Sequence, residues 1–144
     1  MEVLMKKRKR LFLICSVVSL IFFFVYNKPT VTNQEALPEL NDYTIQRASV
    51  LNPRTTIVQL NNEEIKHLLE ILENETYKKK WIPNIQKFNR DIAIAFDFSN
   101  TDIKISISLD FARNIIGIQQ DRGKMKQFIL KKDSELFSYM TNYL

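Results

Sequence analysis

Two runs constrain the fold of this chain more than any other stretch: "DIAIAFDF" at residues 91–98 and "DIKISISLD" at 102–110. In the first, Ile92, Ile94, Phe96 and Phe98 alternate with Ala93, Ala95 and Asp97; in the second, Ile103, Ile105, Ile107 and Leu109 alternate with Lys104, Ser106 and Ser108. A period of two sends successive side chains to opposite faces of a strand, so each run is a strand with one apolar face. "SNTD" at 99–102 supplies small polar residues for a hairpin loop. Folding about it pairs Phe98 with Ile103, Phe96 with Ile105, Ile94 with Ile107 and Ile92 with Leu109. A slip of one residue would turn this whole apolar set towards water, so the register is strongly specified.

The flanking periods complete a small domain. "TTIVQL" at 55–60 is a β-branched run, and Asn61 with Glu64 three residues later is a capping-box start for a helix over 62–74. Ile65, Leu68, Leu69 and Leu72 form its apolar stripe, opposite Glu63, Lys66, His67, Glu70 and Glu73. Further strands are predicted at "NIIGIQQ" (114–120) and "MKQFILK" (125–131), and a last helix in "DSELFSYMTNYL", capped by Asp133 or Ser134. The predicted order over residues 55–144 is β-α-β-β-β-β-α. It is an α+β fold of two layers, an antiparallel sheet of four to five strands under two helices. Ninety residues suffice for one modest core.

The other end of the chain reads differently. Lys6, Lys7, Arg8, Lys9 and Arg10 precede sixteen uncharged, mostly apolar residues, Leu11 to Tyr26. This is the layout of an export sequence, with the basic flank kept on the cytoplasmic side. No small-residue cleavage site follows Phe22, Phe23, Phe24, Val25 and Tyr26. Cys15 follows Ile14 only five residues into the apolar run, so it is expected to be a small hydrophobe and not a lipidation site. The expectation is a single-pass cell-membrane protein: cytoplasmic flank 1–10, transmembrane signal anchor 11–26, tether 27–54 with Pro29, Pro38 and Pro53, and an extracytoplasmic domain 55–144. As a helix the apolar run rises about 24 Å against a layer of about 30 Å, a gap that Arg10 and Lys28 would close by snorkelling.

Charge follows the same division. Residues 1–10 carry net +4, residues 27–54 net 0 and residues 55–144 net +1, so the basic balance belongs to the flank and not to the domain. That removes the usual reason to expect a nucleic-acid partner. A single cysteine allows no internal disulfide.

Motifs for chemistry are sparse. Two glycines give no phosphate-cradling loop, one histidine and one cysteine give no zinc spacing, and neither G-x-S-x-G nor H-E-x-x-H occurs. No catalytic residue, metal site or cofactor is expected. His67 lies among Glu63 and Glu70 on a polar helix face, which reads as ordinary helix pairing. Asp91 and Asp110 fall opposite each other at the open end of the hairpin, where like charges repel and a bound cation would relieve them. Strand fraying is the simpler expectation. Asp97 opposite Lys104 reads as a cross-strand pair.

Two surfaces are candidates for partners. Ala93, Ala95, Ser106 and Ser108 make a low, flat strip on the second face of the hairpin, on which, or at a free edge near it, another chain is expected to lie; the alternative is a plain solvated face. "YKKKWIP" at 77–83 combines Lys78, Lys79 and Lys80 with Tyr77 and Trp81, a set suited to anionic polymers or headgroups, or else a solvated loop with Trp81 tucked inwards.

Basic flank, apolar run, tether, "EEIKHLLEIL" helix, alternating strands and closing "SELFSYM" helix together resemble the plan of small anchored extracytoplasmic proteins of low-GC Gram-positive bacteria. The resemblance is one of layout and carries no catalytic residue over. It implies an anchored binding module of immunity, inhibitor or accessory-subunit type, without catalytic activity, with a protein partner at the membrane surface. The alternatives are an envelope-polymer-contacting structural or sensory protein, and an enzyme built on Asp91 and Asp110.

Overall fold

The computed structural model describes residues 12–23, 30–53, 57–79 and 88–144. Helix α1 covers residues 12–23. It is followed by α2 (Asn33–Ala36), α3 (Glu39–Asp42), β1 (Ile45–Leu51), β2 (Ile57–Gln59), α4 (Asn62–Asn74) and β3 (Lys78–Lys79). Then come β4 (Ile92–Phe98), β5 (Lys104–Asp110), β6 (Ile115–Gln120), β7 (Lys126–Ile129), α5 (Glu135–Met140) and a closing 3-10 turn (Thr141–Tyr143). The seven strands form one sheet in the order β2-β1-β4-β5-β6-β7-β3, every pairing antiparallel.

The central hairpin has the register its alternation demands: Ile92 opposite Leu109, Ile94 opposite Ile107, Phe96 opposite Ile105 and Asp97 opposite Lys104. Its loop turns through Asn100 at φ 59°, a left-handed conformation that Asn tolerates better than most residues. Helix α4 spans the predicted residues. Asn61 accepts from the Glu64 amide at 2.9 Å while Glu64 accepts from the Asn61 amide at 2.8 Å. Its buried residues Leu68, Ile71 and Leu72 join Leu136 and Met140 of α5 over the apolar face of β4, β5 and β6, forming a single core.

The content is α+β, but two parts of the predicted architecture are corrected. The sheet has seven strands and not four to five, because β1 and β3 join it. β1 comes from the stretch expected to be a tether: Ala48 and Val50 are buried against the core, and Ala36, Leu37 and Leu40 of the same stretch lie in it too. Only two residues of β1 point inwards in full, and its register shifts between Ile45 and Arg47, so no long alternation marks it in the sequence. β3 is two lysines long, too short to show a period.

The second correction concerns the membrane. Among the described residues no helix is long and apolar enough to cross one. Residues 11 and 24–26 of the expected span lie outside the described residues. The anchor at 11–26, and the single-pass cell-membrane placement that rested on it, are therefore not supported. Residues 1–10 of the expected cytoplasmic flank lie outside the described residues, and Cys15 is exposed on α1.

Candidate functional site

The strip of small residues assembles as the alternation implies. Ala93 stands opposite Ser108 and Ala95 opposite Ser106 on the sheet face turned away from the helices. The strip is not uniform in depth, however. Ala93 and Ser108 are buried, whereas Ala95 and Ser106 are half-buried. Beside Ser108 lies Gly117, and a Cβ placed there would stand 2.6 Å from Met125 Sδ and 3.3 Å from Phe88 Cζ. Those two side chains thus roof the β6 end of the strip. Its strands are central, flanked by β1 and β6, so the open edges of the sheet lie elsewhere.

One open edge is β2, where Ile57 is 70% exposed and Val58 41% exposed. The other is β3, where Lys78 pairs with Ile129 and Lys79 with Phe128. Both lysines are exposed, while Tyr77 just before them is fully buried and its hydroxyl donates to the Leu72 carbonyl at 2.7 Å. Burial, and secondarily the Glu75 charge, push the Tyr77 phenol well above its usual range. Lys80 and Trp81, expected to act with Lys78 and Lys79, lie outside the described residues.

Asp91 and Asp110 do meet at the end of the hairpin, but each carboxylate is already engaged. Asp91 accepts from the Asn89 side chain at 2.6 Å and from the Phe111 amide at 2.9 Å, closing the strand end. Asp110 is fully buried, and its Oδ2 accepts from the Asn89 amide at 3.1 Å and from Arg113 at 2.6 Å. The positive charge opposing Asp110 comes from Arg113, three residues on in the same turn, whereas Asp91 is held by neutral donors. The D-x-x-R spacing was visible in the sequence, yet its meaning needed the tight turn after β5. A cavity of about 550 Å³ adjoins this end, lined among others by Asn52, Asn89, Asp91 and Phe111. Among the described residues no three His, Cys, Asp or Glu side chains come together as metal ligands.

At the opposite end of the hairpin, Asp97 takes Arg47 at 2.6 Å and, at 3.8 Å, Lys104. Arg47 could not be foreseen as the nearer partner while its stretch read as a tether. His67 is exposed and meets the Tyr139 ring edge-on at 5.2 Å. Glu75 ties the helices together, its Oε1 accepting from both the Ser134 hydroxyl and, at 3.1 Å, the Leu136 amide. It provides the start of α5 with the cap expected from Asp133 or Ser134.

Compared with known protein families, curated proteins and solved structures, the chain matches none.

Proposed function

We propose that this chain is a protein-binding module, without chemistry of its own, which takes an extended segment of another protein as a further strand beside β2. The observation that carries the reading is the contrast between the two sheet edges. An open edge presents unpaired amides and carbonyls, and exposed edges are ordinarily guarded by charge, proline or cover. β3 is guarded by Lys78 and Lys79; β2 presents only Ile57, Val58 and Gln59, with no charge and two large apolar side chains exposed. Strand addition draws its affinity from the main chain and its selectivity from alternate side chains, so the fitting partner segment is uncharged and rich in β-branched or apolar residues.

Peptide-display selection against the folded chain tests this. Enriched peptides should be extended and apolar at alternate positions, shift the amide resonances of residues 57–59, and lose binding to the Val58→Lys variant. Failure to enrich any peptide, or binding that survives Val58→Lys, would contradict it.

A second reading, contact with an anionic polymer, rests on the adjacent exposed lysines of β3. Lys78→Gln with Lys79→Gln should abolish binding under that reading and leave it intact under strand addition at β2.

A further inference from the structure

Among the described residues, three buried side-chain atoms lack a hydrogen-bond partner: Asn33 Oδ1, Ser108 Oγ and Asp110 Oδ1. The last two belong together. Ser108 and Asp110 are both fully buried, both on β5, two residues apart and therefore on the same face of the sheet. Buried polar atoms in folded proteins nearly always have a partner, in protein or in ordered water. Among the described residues no protein group provides it for Ser108, whose cross-strand neighbours Ala93 and Gly117 carry no polar side chain. Side chains two apart on one strand face start about 6.5 Å from each other, and Ser108 Oγ and Asp110 Oδ1 make no direct bond to one another. One water with two hydrogen bonds of about 2.8 Å spans such a gap.

We infer that an internal water molecule sits on this face of β5, accepting from the Ser108 hydroxyl and donating to Asp110 Oδ1. The chemistry favours water over a cation. Arg113 already neutralises Asp110 through Oδ2, so a second positive charge would be uncompensated in a buried place. A hard cation also requires six or more oxygen ligands, and among the described residues only these two orphan oxygens lie on this face of β5. Phe88 and Met125, packed over neighbouring Gly117, provide an apolar roof that separates the site from bulk solvent. Such a water completes the acceptor capacity of a buried carboxylate, and the face that reads as a bare small-residue strip holds a small hydrated site at one end.

A crystal structure of the full chain at high resolution, grown in calcium-containing and in calcium-free solution, is the direct test. The inference predicts one well-ordered peak within hydrogen-bond distance of both Ser108 Oγ and Asp110 Oδ1, equal in the two crystals and without anomalous signal. A direct Ser108–Asp110 hydrogen bond, a protein group filling the gap, or an anomalous calcium peak would each overturn it. In solution, amides beside Ser108 should show magnetisation transfer from a long-lived water, with the transfer lost in Ser108→Val while the fold is retained. No transfer in the wild-type chain contradicts the inference.

Discussion

Asp110 and Arg113 are unequal partners: the carboxylate is fully buried, while the Arg113 side chain keeps about a third of its surface exposed at 32%. Their removal should therefore have unequal costs. Arg113→Met leaves a buried charge with no counterion, and we expect a loss of about 3–5 kcal/mol in urea unfolding. Asp110→Asn leaves a guanidinium that water can still reach, and the expected loss is smaller, about 1–2 kcal/mol. Equal losses would mean that the ion pair is not what holds this turn. Tyr77 gives a pH test. Its phenol is held above the unfolded value of about 10, so the folded state keeps its proton where the unfolded chain releases it. That contribution is fully present below pH 10 and is lost as pH rises beyond it. Tyr77→Phe should flatten the alkaline fall in stability while costing about 1 kcal/mol at neutral pH for its lost hydrogen bond to Leu72. At this scale the sequence was partly legible. The meeting of Asp91 with Asp110 followed from register alone, whereas Arg113 and the buried Tyr77 depended on turns and docking that no period encodes.

Elements differ in how openly they are written. Helix α4 was readable because a capping box and a four-residue apolar stripe agree over thirteen residues. Asn61→Ala should cost about 1 kcal/mol by thermal unfolding, since it removes the side-chain oxygen that accepts from the Glu64 amide and leaves only the backbone half of the box. β1 was hidden for the opposite reason. Its inward residues Ala48 and Val50 are small, its outward ones include Arg47 and Gln46, and prolines flank it on both sides. Such a segment becomes a strand only because β4 offers it an edge, which is tertiary context overriding weak local preference. β2 is where element and function meet. Val58 is 41% exposed on an open edge, so Val58→Lys should change unfolding free energy by about 0.5 kcal/mol or less. Loss of peptide binding with that small change would separate recognition from stability.

For the whole molecule, β1 is a structural necessity and residues 30–53 are part of the domain. A chain beginning at Thr55 would leave the β4 edge open and uncover the core where Ala36, Leu37, Ala48 and Val50 now pack. We expect it to lack cooperative unfolding by circular dichroism, while a chain beginning at Thr30 melts as one unit; cooperative folding from Thr55 would refute the seven-stranded account. The plan of layers was legible from the hairpin outwards, because alternation specifies faces. The extent of the sheet was not, because edge strands of two and three residues leave almost no pattern. The molecule that results is asymmetric, one edge bearing lysines and the other bare. Site-specific photo-crosslinking in cells from position 57, with positions 78 and 106 as controls, tests that asymmetry most directly. The account predicts crosslinks from position 57 alone, to one extended segment of a single partner protein, at alternating residues of that segment. Crosslinks arising only from position 78 or 106, or joining two copies of this chain, would contradict it.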